Sequence, residues 1–229
     1  MTTKPRERGI LFSAPMVRAL LAGTKTQTRR IADRAVRHPD LGNLYDPGAL
    51  ILEHEPQHVI ERACPLGRPG DRLWVREAWR MPADLDGYSG GRVAEMCIDA
   101  GYRLPWAPIQ YEADGAQESW RHTGTPPHDG PPRPGRYRHA RFMPRWASRI
   151  TLEITGVRVE RLQDISGADA VAEGVSVHPD HHTKPSTSIY SPVQAYRDLW
   201  EIINGAGSWD ANPWVWVVEF RRLEGGPGS

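Results

Sequence analysis

Cysteine and lysine are scarce in this chain, and no long apolar run occurs in it. The two cysteines, Cys64 and Cys97, are far apart and outside any CxxC pattern, which excludes a disulfide framework and a cysteine-rich zinc site. Both are expected as reduced, partly buried thiols. No apolar stretch approaches the ~18 residues that a bilayer-spanning helix requires, so no membrane partner is expected. Residues 1–8 lack the sustained apolar core of a secretory signal, which reads as cytoplasmic. With 29 Lys+Arg against 28 Asp+Glu the net charge is +1, which excludes a polycation that coats nucleic acid along its whole surface. Lys4, Lys25 and Lys184 are the only lysines, so nearly all basic charge is arginine. Walker, GxSxG and GxGxxG patterns in strand–turn–helix context are absent, which leaves nucleotide hydrolysis, α/β-hydrolase chemistry and dinucleotide use without support.

What is present is a chain of 229 residues with 22 Gly, 21 Pro and 9 Trp, a loop-rich composition whose regular elements are anchored by large aromatics. Gly9–Phe12 reads as a short buried strand, followed by a helix from Ala14 with Val17, Leu20 and Leu21 as its apolar stripe and Gly23 as its left-handed stop. Thr24–Ile31 then leads into a strand. Between residues 32 and 70, the runs 49–52 and 59–60 predict one or two short strands. The clearest strand is 70–77, with Leu73, Val75 and Glu77 on one face and Trp74 and Arg76 on the other. Residues 80–140 lose periodicity and collect Gly and Pro, which predicts an elaborated insertion within a single domain spanning 1–229. Ile150, Leu152 and Ile154 mark a core strand. Ser166 opens a short helix that carries Glu173 in its final turn before Gly174, and an acid there opposes the helix dipole. A second helix begins at Ser191-Pro192 with Val193, Leu199, Trp200 and Ile203 as its apolar face. The run 214–220 is apolar on both faces and is expected in the middle of a sheet or closing it. Short strands, few helices and a late strand returning beside an early one predict an α+β fold, a small mixed β-barrel with short helices at its ends.

The segment Gly23-Thr24-Lys25-Thr26-Gln27-Thr28-Arg29-Arg30 resembles the GxKxxxxR signature of the ASCH family, whose fold is a PUA-like β-barrel associated with RNA. Leu11–Met16 and Met143–Ile150 resemble a subgroup common in phages and prophages, so the resemblance implies a bacterial host cell. It covers most of the chain apart from roughly residues 80–140. One branch of the family comprises amidohydrolases that deacetylate N4-acetylcytidine with a lysine, a threonine and a glutamate. Position within the signature matches Lys25 and Thr28 to that lysine and threonine. Glu173 matches the glutamate by its place in the helix after the core strand, and Arg30 matches the signature arginine. This chain is about twice as long as that branch, so its substrate is expected as either a modified nucleoside or a polynucleotide that carries one, RNA or modified DNA. Other family members are ribonucleases or non-catalytic nucleic-acid readers, and both remain alternatives.

Amide hydrolysis requires a nucleophile, a base and donors for the developing oxyanion. Thr28 offers a hydroxyl. Lys25 serves as base if burial, Arg29 and Arg30 lower its pKa from ~10.4 toward neutrality. Glu173 then orients the lysine, activates a deacylating water or hydrogen-bonds the base amine. In an alternative version Glu173 and Lys25 activate water directly and Thr28 only binds substrate. Arg29 and Arg30 are candidates for substrate phosphate. The plain structural alternative is an ordinary Lys25–Glu173 salt bridge with Thr28 packed in a strand.

Arginines 133, 136, 138, 141, 145 and 149 are interleaved with Tyr137, Phe142 and Trp146, a pattern suited to a single-stranded backbone and its stacked bases. Arg136, Arg138, Arg141, Arg145 and Trp146 are the candidate nucleic-acid contacts. Trp74, Trp79, Trp214 and Trp216 are expected in the core. His178, His181 and His182 sit in one loop, a poor source of a closed tetrahedral site, so neither a metal nor a cofactor is expected.

Overall fold

The computed structural model describes residues 4–121, 131–175 and 191–224. The chain begins with β1 (Glu7–Leu11), α1 (Ala14–Leu21) and β2 (Gln27–Ile31), then the hairpin β3 (Val36–Arg37) and β4 (Leu44–Tyr45). Helices α2 (Pro47–Leu52) and α3 (Gln57–Ala63) lead to β5 (Arg72–Arg76) and β6 (Trp79–Arg80). After α4 (Gly90–Asp99) come β7 (Ile109–Tyr111), β8 (Gln117–Glu118) and the long β9 (Thr151–Arg161). The chain continues through α5 (Gly167–Ala172), α6 (Pro192–Asn204) and β10 (Trp214–Arg222).

A mixed five-stranded sheet with the order β1-β5-β9-β10-β2 is accompanied by the β3-β4 hairpin and by a three-stranded sheet, β6-β7-β8. The fold is therefore α+β, as the strand and helix signals imply. The expected closed barrel is not formed among the described residues: β10 does return beside the early β2, antiparallel with Val217 opposite Arg29, but β1 and β2 end the strand order and do not join. Among the described residues, no helix is long and apolar enough to cross a membrane.

The chain divides into two compact units, one made of Met1–Arg6, Ala19–Arg72 and Glu153–Arg221, the other of Glu7–Arg18, Leu73–Leu152 and Arg222–Ser229. In the first unit Tyr196, Trp200 and Trp209 pack with Leu162, Ile165, Ala170, Val215 and Val217. The apolar face of α6 is thus carried by Tyr196 and Trp200, and Ile203, assigned to it from the sequence, is exposed. Period arithmetic explains the shift, because Val193, Tyr196 and Trp200 fall at i, i+3 and i+7. Runs 49–52 and 59–60 lie in α2 and α3 instead of strands. Asp46 accepts the Gly48 N–H at 2.8 Å and Pro47 takes the first helical position, a start signal that outweighs the short apolar run.

In the second unit Leu73, Val75 and Glu77 are buried while Trp74 and Arg76 are half-buried, which matches the alternation read in 70–77. Glu77, 1% exposed, takes both arms of the Arg149 guanidinium at 2.9 Å, and Arg149 also holds Asp114. Burial pushes the Glu77 carboxyl up, and Arg149 opposes that push. Residues 80–140, read as lacking periodicity, contain α4, capped by Ser89 through the Arg92 N–H, and strands β7 and β8. Trp79, Met81, Val93, Ile109, Tyr111 and Met143 form a core of their own. The signal was hidden because Pro and Gly fall between these elements and the elements are short.

Trp79 and Trp216 are fully buried, Trp74 and Trp214 half-buried. Both cysteines are free, Cys64 buried and Cys97 half-buried. Strand β9 runs beyond the predicted segment to Arg161, and its buried residues change parity at Thr155-Gly156, from Leu152 and Ile154 to Val157 and Val159. That change turns Arg158 and Glu160 away from the core.

Gly48 is closed against the Trp214 indole: a Cβ there would lie 2.1 Å from Nε1. Gly48→Ala should therefore destabilise the protein by about 2 kcal/mol, the cost of overpacking a rigid contact, read as a lower urea midpoint at unchanged slope.

Candidate active site

Helix α5 owes its short length to its ends. Ser166 caps it by accepting the Asp169 N–H, and the Asp169 carboxylate receives the Ser166 N–H in return, a capping box. At the other end Glu173 is the last residue before Gly174, whose φ of +85° only glycine adopts without strain. Gly174 is also required for space, since a Cβ would sit 2.8 Å from the Ala19 Cβ and 3.0 Å from the Lys25 Cβ. The segment leading into β2 thereby reaches the helix end. Lys25 pairs with Glu173 in an isolated antiparallel bridge, and the Thr26 N–H donates to the Ala172 carbonyl at 2.8 Å. Carbonyls left over at the helix C-terminus are thus satisfied by the incoming chain.

Lys25 is 3% exposed, and its Nζ donates to the Glu173 backbone oxygen at 2.8 Å and to Glu173 Oε2 at 2.9 Å. A cation at this place favours the helix dipole that Glu173 alone opposes. The other carboxylate oxygen, Oε1, accepts from Arg29 NH1 at 3.2 Å. Arg29 has no exposed side-chain surface, and its NH2 meets Glu160 Oε1 at 2.5 Å and Asp169 Oδ2 at 3.6 Å. Behind it Arg158 binds Glu160 at 2.8 Å and Asp169 at 2.9 Å and also pairs with Glu219, while Gln27 donates to Asp169 Oδ1 at 3.1 Å. The Tyr196 ring of α6 lies 5.9 Å from the Arg29 guanidinium carbon.

Burial pushes the Lys25 ammonium below its ordinary 10.5; Glu173 opposes that shift, and Arg30 and Arg29 add to it. Lowering the ammonium's pKa enlarges the share of neutral amine, the form a general base requires. Burial also raises the Tyr196 phenol, with Glu173 adding to the effect, so Tyr196 remains a hydroxyl. Burial would raise Asp169, but hydrogen bonds from Ser166 and Gln27 and the charge of Arg29 bring it down to about 2.

Of the residues singled out from the sequence, Lys25 and Glu173 are brought into direct contact. Thr28 is 2% exposed in β2 opposite Val218, and no hydrogen bond joins it to Lys25 or Glu173. Strand alternation sends its side chain, like that of Arg30, to the side of β2 away from Gln27 and Arg29. Arg29 is not placed for substrate phosphate: it lies entirely inside, engaged by three carboxylates, and acts on Glu173. Arg30 is half-buried, within electrostatic reach of Glu173 and Tyr196. Sequence reading missed Glu160, Asp169, Arg158 and Tyr196. The period-two run Lys25, Gln27, Arg29 was the available signal for a shared polar face.

The proposed nucleic-acid contacts divide. Arg138 is 7% exposed and donates to the Leu85 and Tyr88 carbonyls, Arg145 binds Glu7 and Thr151, and Trp146 packs edge-on against Trp79 with its Nε1–H on the Gly90 carbonyl. These three are structural. Arg136 and Arg141 are exposed. The histidine-rich segment 178–182 lies outside the described residues, and among the described residues no group of three or more His, Cys, Asp or Glu is arranged to hold a metal.

Two outcomes are expected. With only three lysines, 13C-lysine NMR should show one Cε signal, lost in Lys25→Ala, that titrates below 10.5, and it should move to higher pH in Arg29→Met, which removes a neighbouring positive charge. Asp169 binds its proton more weakly folded than unfolded, so its contribution to stability is complete above its ordinary 3.8 and is lost as pH falls toward about 2. Acid titration of stability should consequently be shallower over that window in Asp169→Asn than in the wild type.

Comparison of the chain with protein-family models, with curated proteins and with solved structures finds no match.

Proposed function

We propose that the Lys25–Glu173 cluster is the active site of a cytoplasmic amidohydrolase that removes an acyl group from the exocyclic amine of a modified nucleobase, N4-acetylcytidine being the type substrate. The observation that carries this reading is the buried amine: a lysine removed from water, held by two oxygens of one residue and depressed in pKa, is arranged as a base. The resemblance of Gly23–Arg30 to the ASCH signature supports the same assignment, and the return of β10 beside β2 fits a PUA-like arrangement that is open instead of closed.

The separation of Thr28 from the cluster favours direct attack by water. Water adds through oxygen to the acyl carbonyl while the Lys25 lone pair takes its proton. The tetrahedral intermediate collapses as the C–N bond breaks, and the Lys25 ammonium returns that proton to the departing amine. The products are a carboxylic acid and the free nucleobase amine. Glu173 keeps Nζ in place through both transfers, with Arg29 fixing the second carboxylate oxygen.

A second reading, a non-catalytic reader of the same base, is favoured by one observation: both Glu173 oxygens are engaged in a closed network that also suits a purely structural role. Incubation with N4-acetylcytidine and related acylated nucleosides, followed by mass spectrometry, separates the two. The wild type should release the free amine and Lys25→Ala should be slower by about 10²- to 10⁴-fold, the usual loss of a general base. Thr28→Ser should keep most activity with no burst of acyl-enzyme. Absence of release with folded protein would select the reader, and a burst in the wild type would restore the covalent version.

A further inference from the structure

The stretch 133–142 in the second compact unit sorts its side chains into an inner and an outer set. Arg138 and Ala140 are inside. Arg138 donates to the Tyr88 carbonyl at 3.0 Å and the Leu85 carbonyl at 3.1 Å, lies 5.5 Å over the Trp79 ring, and exchanges both backbone hydrogen bonds with Trp79. Gly135 donates to the Met81 carbonyl at 2.9 Å and is so close to Asp86 that a Cβ would lie 2.4 Å from its Oδ1. The Arg136 N–H is held by both oxygens of that Asp86. With the backbone pinned at 135, 136 and 138, what remains faces outward by geometry.

The outer set is Arg133, Arg136, Tyr137, His139, Arg141 and Phe142, all exposed. No carboxylate pairs with the guanidinium groups of Arg133, Arg136 or Arg141 among the described residues. Tyr137 is 53% and Phe142 63% exposed, a large apolar cost for two rings. Arg141 covers one face of Phe142 at 4.8 Å, and Arg80 lies 5.8 Å from the Tyr137 centroid. Exposed guanidinium groups and exposed aromatic rings along one run of backbone match a ligand with both phosphates and unstacked planar groups. A duplex keeps its base faces stacked, and an acidic peptide gives the rings nothing to stack on.

We propose that Arg136, Tyr137, Arg141 and Phe142, with Arg133 beside them, form a binding surface for single-stranded nucleic acid. Guanidinium groups take the phosphates and the two rings stack bases. This surface stands independently of the amidohydrolase reading, because none of its residues belongs to the Lys25 cluster.

Fluorescence anisotropy of the full chain with labelled oligo(U) and oligo(dT) of about 12 nucleotides tests it, with salt raised from about 50 to about 200 mM. The double variant Arg136→Ala/Arg141→Ala should reduce the slope of log K against log salt by about 1.4, two phosphates' worth for a single strand. Phe142→Ala should weaken oligonucleotide binding about tenfold and leave binding of inorganic polyphosphate, which has no bases, unchanged. Lys25→Ala should bind like the wild type, so loss of hydrolysis and loss of strand binding are read separately. Arg136, Arg141 and Phe142 are exposed while Lys25 is buried, so circular dichroism checks the fold of each variant before binding is compared. No wild-type binding at about 50 mM salt, or an unchanged slope in the double variant, overturns the proposal. Poly-glutamate bound as tightly as oligonucleotide overturns it in favour of an acidic protein partner.

Discussion

Removing Lys25 and Arg29 from water is the constraint around which the first compact unit is organised. A buried cation is tolerated only when carboxylates meet it at hydrogen-bond distance, and losing one partner leaves an uncompensated charge. Glu173 answers both cations, one with each oxygen. To do so, it must stand at the end of α5, the place where a helix accepts a negative charge least readily. The Ser166 cap, the left-handed Gly174 and the Thr26–Ala172 hydrogen bond are the local devices that hold it there.

The second layer follows from the same requirement. Arg29 presents more donors than Glu173 can accept, so Glu160 and Asp169 complete its partners, and these carboxylates bring in Arg158. Arg158 and Glu160 stand on one side of β9 only because the alternation of that strand slips at Thr155-Gly156. Gly156 itself lies against Glu219, where a Cβ would be 2.8 Å from Oε2, so the slip and the last carboxylate of the network are packed together. Strand irregularities of this kind commonly re-aim side chains toward sites.

Local signals in the sequence were readable where one residue type has one conformational meaning. Gly23 and Gly174, the Ser166 start and the alternation of 72–76 all stand where their chemistry puts them. Short apolar runs were not decisive, since four residues at 49–52 satisfy either period and the Asp46-Pro47 start settled the matter. Helix α4 was obscured by the glycines and prolines around it. Barrel closure depends on pairing between distant strands, which no local pattern encodes, and the sheet ends at β1 and β2. Lys25 was singled out by its place in Gly23–Arg30 and Glu173 by its place at the end of a short helix, and the two do meet. The role of Arg29 was not legible, because a doublet of arginines looks the same whether a member faces solvent or is enclosed by acids.

The network has a particular charge arithmetic. Lys25, Arg29, Arg30 and Arg158 stand against Glu160, Asp169, Glu173 and Glu219, four potential cations and four anions. The cluster is electrically neutral when Lys25 is protonated and carries one excess negative charge when it is not. A proton on Nζ therefore balances the cluster, and the Glu173 carboxylate that favours it opposes the lowering of the Lys25 pKa by burial. Such a site behaves as a capacitor of one unit, its net charge set by a single proton on one amine.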